Sequence, residues 1–242
     1  NAIALYQEEM KKTDNYYNAY THLIQAINDK NLFIGYKNVY SPSINKKIGS
    51  SSYLYLKEES NLLSYGMLHK TLEATNDDLW VGLYYFEKNI VDNLRTLQEM
   101  GAKPFYILMQ NSLKMYEHVE LYGSYIDLVN KYKIDVSKFV FEIIDKIDIE
   151  KDQQGIKNIW RFLDLGFKFA IEITELNDET NRLLEVIDFP VIKIEAKNLT
   201  KEMVLKLNSK MLYVYNVNTA EEDQLVKEMN VELAEGTFYL QE

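Results

Sequence analysis

The sequence predicts an α/β fold in which about eight strands close into a β/α barrel. Short apolar runs rich in Val, Ile, Phe and Tyr alternate with longer amphipathic runs along the chain. Such alternation is typical of a mostly parallel sheet with helices outside it. The length of 242 residues suits one barrel, and no Ser/Gly-rich or charged linker divides the chain, which has only three prolines and nine glycines.

The strands are predicted from apolar segments that have the length and composition of buried strands. These segments are Leu32–Tyr40, Ser52–Leu56, Pro104–Met109, Phe139–Ile144, Phe167–Ile173, Val191–Glu195, Met211–Asn216 and Val231–Ala234. The first two are separated by Ser41–Ser51, a polar turn that is too short for a crossover helix. We therefore expect a TIM-like barrel with an irregular, antiparallel strand near the start.

The helices are predicted from apolar residues that recur with helical spacing. The longest segment, Asp78–Met100, carries such a stripe and is followed by Gly101, which suits a helix C-cap. The same pattern predicts helices at Gly123–Tyr132, Asp152–Leu165, Asp178–Val186, Lys201–Leu207 and Ala220–Met229. A further helix over Ala4–Asn28 is expected to lead into the barrel, with residues 1–17 as a lead-in and residues 18–242 as the barrel domain.

Composition excludes several classes of function. The formal net charge of −10 argues against nucleic acid as a partner, because phosphate binding needs clustered Lys and Arg. The sequence contains no cysteine, which excludes disulfides, thiolate nucleophiles and thiolate metal sites. No apolar stretch approaches the roughly 18 residues that a membrane span requires. These features predict a soluble, cytoplasmic protein.

Charged residues inside apolar strands are the candidates for chemistry, because a β/α barrel places its reactive groups at the carboxyl ends of its strands. Four such residues stand out: Glu142, Glu172, Lys193 and Glu195. Buried carboxylates are costly unless they are paired or bound to a cation. The acids could therefore line a divalent-cation site, or they could form a buried ion network with Lys193. Spacing alone favours the network, because structural ion pairs are common in barrels.

The histidines and tyrosines are interpreted as structural. His22, His69 and His118 are scattered along the chain, and none has a partner histidine four residues away. We therefore expect each to be a surface or packing residue. Tyrosine is abundant, with 19 residues, and pairs such as Tyr84-Tyr85 are expected to pack in the core or at an interface.

The order of the segments resembles the EAL-domain family of cyclic di-GMP phosphodiesterases, from about Asn18 to Tyr239. Six short matches carry the resemblance: the strand containing Lys37, Phe139-Val-Phe-Glu142-Ile-Ile-Asp145, Leu165–Glu172, Ile192-Lys193-Ile-Glu195, Tyr215–Asn218, and Glu235-Gly236. They are similar, in order, to the Tyr-Gln-Pro strand, Leu-Glu-Ile-Thr-Glu, the paired-aspartate strand, Lys-Ile-Asp, Glu-Gly-Val-Glu-Thr and Gln-Gly-Tyr. The resemblance implies a barrel that hydrolyses cyclic di-GMP with water activated by Mg²⁺ or Mn²⁺.

Several positions depart from the family's metal ligands. Glu142 and Lys193 match, and Glu172 replaces an aspartate. The remaining ligands and assisting acids fall on Ser52 or Tyr53, Ile173, Tyr215 and Asn218, with Asn111 the candidate for the metal-binding Asn. Losing one ligand of a metal centre lowers activity by orders of magnitude. We therefore expect no catalytic residue and no metal cofactor, with Lys193, Glu195, Glu142, Glu172 and Asn111 as remnants of the site.

The resemblance thus predicts a catalytically inactive, regulatory or signalling domain that acts by binding a regulatory protein or by self-association. The alternative is a receptor that binds cyclic di-GMP without cutting it; residual hydrolysis with Mg²⁺ or Mn²⁺ is a third option. The candidate ligand-binding residues are Lys37, Lys57, Glu142, Glu172, Lys193 and Glu235. Lys37 and Lys57 occupy the positions of a Gln and an Arg of the family. Lysine lacks the bidentate fork with which arginine binds a phosphate, so these substitutions favour protein binding over nucleotide binding. Without a divalent ion, Lys193 and Lys37 are expected to occupy the site as fixed cations.

Overall fold

A computed structural model describes residues 25, 32–58, 61–75, 77–101 and 103–240. The predicted lead-in helix Ala4–Asn28 and the domain division after residue 17 lie outside the described residues, apart from residue 25. Within the described ranges, no helix is long and apolar enough to cross a membrane.

The strands form a closed barrel. They are β1 (Leu32–Ser41), β2 (Lys46–Glu58), β3 (Asn61–Ser64), β4 (Tyr106–Asn111), β5 (Phe139–Ile143), β6 (Lys168–Glu172), β7 (Val191–Glu195), β8 (Met211–Tyr215) and β9 (Leu233–Ala234). From β2 through β4 to β9, each strand is parallel to the next, while β1 closes the ring between β9 and β2 and is antiparallel to both. The predicted barrel and its antiparallel strand near the start are therefore confirmed.

Helices follow most of the strands and cover the outside of the barrel. They are α1 (Tyr65–Thr75), α2 (Asp78–Met100), α3 (Val119–Tyr132), α4 (Gln153–Asp164), α5 (Asp178–Val186), α6 (Lys201–Lys206) and α7 (Ala220–Glu228). The predicted C-cap of α2 is present: Gly101 has a φ of 53°, and its N–H donates to the Leu97 carbonyl. This positive φ is the reason that glycine suits the position.

Two apolar layers stabilise the barrel, and strand alternation separates them. Outside, aromatic rings pack between strands and helices; the Phe86 and Tyr125 rings, for example, stack with their centroids 4.2 Å apart. Inside, the filling residues are Val39, Leu108, Val140, Ala170, Val191, Tyr213 and Leu233. Because side chains alternate along a strand, the residues two positions beyond Val140 and Val191 also face the interior, at the carboxyl end of the barrel.

The structure corrects three local predictions. The turn predicted at Ser41–Ser51 is wrong in extent, because β2 already begins at Lys46 and pairs with β1. This part of β2 is polar and small: a Cβ on Gly49 would lie 2.5 Å from the Tyr106 carbonyl oxygen, so a typical bulky strand residue does not fit there. The strand predicted at Pro104–Met109 lies at Tyr106–Asn111, and β3 and α1 were not predicted at all.

Candidate functional site

The registers of the parallel strands bring the predicted charged residues to one end of the barrel. Glu142 on β5 is level with Gln110 on β4, Glu172 on β6 is level with Lys193 on β7, and Lys193 is level with Tyr213 on β8. In a parallel sheet, residues that are level share a face. These side chains therefore converge at the carboxyl end of the barrel, where β/α barrels place their reactive groups.

Lys193 lies between the two carboxylates. Its Nζ is 2.7 Å from Glu142 Oε1 and 3.6 Å from Glu172 Oε2. The lysine and Glu142 side chains are only 6% and 10% exposed, whereas Glu172 is 39% exposed. Burial raises the pKa of Glu142, and Lys193 opposes that rise. The arrangement is the buried ion network that the spacing favoured.

Two tyrosines complete the surroundings of Lys193. The Tyr215 hydroxyl donates to Glu172 Oε1 at 2.6 Å, and the Lys193 Nζ lies 4.6 Å from the centre of the Tyr215 ring. The same ammonium lies 5.8 Å from the centre of the Tyr213 ring. Aromatic faces attract cations, so the lysine is held from several sides.

A second cluster surrounds Glu235, which is buried at 4% exposure just after β9. Its carboxylate accepts hydrogen bonds from Tyr213 Oη at 2.6 Å, Lys37 Nζ at 3.0 Å and Tyr53 Oη at 3.2 Å, and also from the Ser51 hydroxyl. Burial and Glu235 raise the pKa of Tyr213, so its hydroxyl remains a donor at neutral pH. Lys37 thus pairs with Glu235 and not with Glu142 or Glu172, and its side chain is 56% exposed, so the expectation of a second fixed cation beside those two acids is wrong.

The structure places three other candidates away from this pair of clusters. The Glu195 carboxylate contacts Lys197 Nζ at 2.6 Å, and this lysine lowers the pKa of Glu195. Lys57 is exposed, in the part of β2 that pairs with β3. Asn111 is level with Ile143, and its Nδ2 donates to the Tyr116 hydroxyl at 2.7 Å, so it faces the outer layer rather than the barrel interior.

Registers also settle which neighbouring residues face the interior. Ser52 faces outward, because its hydroxyl lies 2.9 Å from the Tyr85 hydroxyl of α2. Tyr53 faces inward and contacts Glu235. On β4 the interior position belongs to Gln110, one residue before the predicted Asn111. Strand alternation could have identified Gln110, because it is two residues after the inward-facing Leu108.

An open cavity of about 570 Å³ lies at the carboxyl end of β5 and β6. Its charged and titratable lining residues are His69, Glu142, Asp145, Lys146, Glu172 and Glu179. Four of these are acids, and one is a lysine. Each acid contacts a lysine: Lys193 contacts Glu142 and Glu172, Lys70 contacts Asp145, and Lys146 contacts Glu179, so the lining has no surplus positive charge to attract an anionic ligand.

The donor set between β5 and β7 is a poor match for the Mg²⁺ or Mn²⁺ that the family resemblance implies. Hard divalent ions take several oxygen ligands, mostly carboxylates and carbonyls. Here two carboxylates converge, Lys193 already supplies their counter-charge, and the neighbouring interior positions add no further acid: Gln110 offers one amide oxygen, and Tyr53 a phenol that contacts Glu235. No step of metal-assisted hydrolysis can be derived from these residues.

No protein-family model and no curated protein matches the sequence. Solved structures do match. The PaMucR phosphodiesterase in complex with cyclic di-GMP aligns with a TM-score of 0.73 at 14% identity, over 92% of this chain and 96% of that one. An EAL-domain protein from Listeria monocytogenes aligns with 0.70 at 15%, over 92% of each chain. The FimX EAL domain of Xanthomonas citri, in complex with cyclic di-GMP, aligns with 0.73 at 11%, over 96% and 94%.

These likenesses show that the chain has the EAL-domain barrel fold, and the resemblance inferred from the motifs is confirmed at that level. Sequence reasoning placed Glu142, Glu172, Lys193, Lys37 and Glu235 at this end of the barrel. It missed the hydroxyl donors around Glu235, which are described above, because serine and tyrosine in strands carry no signal that separates donors from packing residues.

Proposed function

We propose that this chain is a cytoplasmic regulatory domain that does not hydrolyse cyclic di-GMP and acts by binding a protein. The observation that carries the first half is that two carboxylates, Glu142 and Glu172, converge at this end of the barrel, and Lys193 already lies 2.7 Å from one and 3.6 Å from the other. A tethered monovalent cation neutralises the carboxylates but cannot bind and ionise a water molecule as a divalent metal does. The site therefore keeps the charge balance of a metal centre without its nucleophile.

Two exposed tryptophans support the proposal that the chain binds a protein. The chain contains two tryptophans, and Trp80 on α2 and Trp160 on α4 are 65% and 46% exposed. Tryptophan is enriched among the residues that contribute most to binding at protein interfaces. Both lie on the helical layer, away from the carboxylates inside the barrel. The helical surface is thus the proposed contact for a regulatory partner or a second copy of the chain.

The second candidate function is a receptor that binds cyclic di-GMP without cutting it. Two observations favour it: the open cavity at the carboxyl end of β5 and β6, and the fold shared with EAL domains whose structures contain cyclic di-GMP. The charge of that cavity opposes it, because the lysines there are already paired with acids and the ligand carries two phosphate charges. We therefore rank it below protein binding.

Incubation of the purified chain with cyclic di-GMP and excess Mg²⁺ or Mn²⁺ tests the catalytic half of the proposal. We expect no linear product by chromatography, with the PaMucR phosphodiesterase domain as the active control, and no heat of binding by calorimetry. Turnover by the wild-type chain would overturn the proposal, and tight binding without turnover would establish the receptor instead.

Affinity capture from the native host tests the interaction half. We expect one protein, or a second copy of this chain, to be recovered stoichiometrically and in the reciprocal experiment. The variants Trp80→Ala and Trp160→Ala separate the two helical surfaces, and at least one should lose the partner while unfolding at the same temperature as the wild type. Unchanged capture by both variants would show that these tryptophans do not form the contact.

A further inference from the structure

A group of metal-ligand side chains lies outside the clusters around Lys193 and Glu235. His69 and Glu73 are four residues apart on α1, so they share one face of the helix. Asp145 follows β5 and reaches the same point from the barrel. One ligand atom from each of the three residues lies within 4.8 Å of the other two.

The geometry of His69 suits a metal ligand. Its Nδ1 lies 2.8 Å from the Gly66 carbonyl oxygen, which can only accept, so Nδ1 carries a hydrogen. In the neutral ring, Nε2 then bears the lone pair, and it points at Asp145 Oδ1 at 3.3 Å. Two acceptors at this distance repel one another unless a proton or a metal ion lies between them. A backbone carbonyl that fixes the tautomer in this way is the usual second partner of a metal-bound histidine.

Asp145 is also held in place. Its Oδ2 accepts a hydrogen bond from the Leu113 N–H at 2.6 Å, which leaves Oδ1 facing the histidine. Its side chain is 8% exposed, and that of His69 is 11% exposed. Both residues line the open cavity beside β5, which provides a path for an ion and room for a non-protein ligand.

Lys70 neutralises the acids of this group. Its Nζ lies 2.6 Å from Asp145 Oδ1 and 3.1 Å from Glu73 Oε2. The lysine side chain is 65% exposed, on a flexible stem, so it can move into solvent when another cation arrives. This contrasts with Lys193, which is buried.

We propose that His69, Glu73 and Asp145 form a binding site for a divalent transition metal, Zn²⁺ by its donor set, which displaces Lys70. One imidazole nitrogen and two carboxylate oxygens are ligands that zinc accepts, with the fourth position open to the cavity. Zinc bonds of about 2.05 Å in tetrahedral geometry separate neighbouring ligands by about 3.3 Å. The His69–Asp145 distance of 3.3 Å already has this value.

The site is tested by titrating Zn²⁺ into the chelator-treated chain in competition with a chromophoric chelator. We expect one equivalent to bind and to raise the unfolding temperature, because zinc stabilises the state that binds it. His69→Gln and Asp145→Asn should each weaken binding by about 100-fold or more. Co²⁺ in place of Zn²⁺ should give the visible absorption of a tetrahedral site in the wild type and not in His69→Gln.

Two further variants separate a metal site from a structural ion network. His118→Gln is the matched control, since His118 Nε2 also faces an aspartate, Asp78 Oδ1 at 3.0 Å, but has no third ligand among the described residues. It should bind zinc as the wild type does. Lys70→Met removes the competing cation and should tighten zinc binding by about fivefold.

Three results would overturn the proposal: no stoichiometric zinc on the wild-type chain, equal binding by His69→Gln, or weaker binding by Lys70→Met. The Lys70 result remains informative even if a ligand variant fails to fold, because that side chain is mostly in solvent. Failure of this site would leave the proposed lack of hydrolysis untouched, since that depends on the donor set around Glu142 and Glu172.

Discussion

Replacing Lys193 with methionine is expected to lower the free energy of unfolding by about 3 kcal/mol near neutral pH. At 2.7 Å and an effective dielectric constant of about 20, the attraction between Lys193 and Glu142 is about 6 kcal/mol. Removing the lysine also removes the cost of its own desolvation, which is several kcal/mol and offsets part of that loss. What remains is the cost of a buried carboxylate that has lost its cation.

The loss should depend on pH, with a sign that follows from Glu142. Burial already raises the pKa of this carboxyl in the folded state, and removal of Lys193 raises it further. The folded variant then holds a proton more tightly than the unfolded chain does. Its stability is greatest below the unfolded pKa and is lost as the pH rises through the folded pKa, by up to about 1.4 kcal/mol per pH unit.

Urea unfolding of the wild type and Lys193→Met, at about pH 5.5 and about pH 7.5, measures both effects. Lys197→Met is the control, because the Lys197 side chain is 70% exposed and contacts Glu195 at the end of β7; its transition should not move. A double variant with Glu142→Leu should recover most of the loss, since an apolar pair can replace a buried ion pair. Equal stability of Lys193→Met and the wild type at the higher pH, or an equal loss at both, would refute the reasoning.

Other predictions concern the closing strand and the helices. Glu235→Gln should cost about 2 kcal/mol by urea unfolding, because the charged acceptor of four donors is removed, whereas Tyr213→Phe removes one donor and should cost about 1 kcal/mol. Gly236→Ala should destabilise the chain by about 1–3 kcal/mol, since a Cβ there would overlap the Val217 carbonyl oxygen. Gly123→Ala, in α3 with no atom within 4 Å of the added Cβ, should instead stabilise it by about 0.5–1 kcal/mol in the same assay.

Elements with strong local patterns could be predicted from the sequence. The bounds of α2, α5 and β7 agree with the prediction because apolar periodicity and capping residues mark their ends. The amino-terminal half of β2 could not be predicted, since Lys46–Ser51 is polar and becomes a strand by pairing with β1 and packing on β4. The helix α1 was missed for a related reason: it contains Gly66 and a short, weak apolar pattern.

The site was predictable where a charge interrupts an apolar strand, and not where partners come from distant segments. Glu142 and Lys193 could be selected in this way, 51 positions apart. His69 was interpreted as a surface or packing residue, because a single acid, Glu73, lies at a ligand-like spacing from it in the sequence. Its partner Asp145 is on another element, and only the closed barrel and the position of α1 bring the two together.

Lys193 and Lys70 lie at the same end of the barrel but differ in burial, and this difference decides which of them a metal ion can displace. Lys193 is buried, so removing its charge leaves a carboxylate without water, and a divalent ion would have to displace a cation that aromatic rings also hold. Lys70 is mostly in solvent and lacks that cost, so a tighter-binding ion can replace it. A metal arriving at this end should therefore bind at His69 and Asp145 rather than between Glu142 and Glu172, and zinc titration of Lys193→Met against Lys70→Met measures that preference directly.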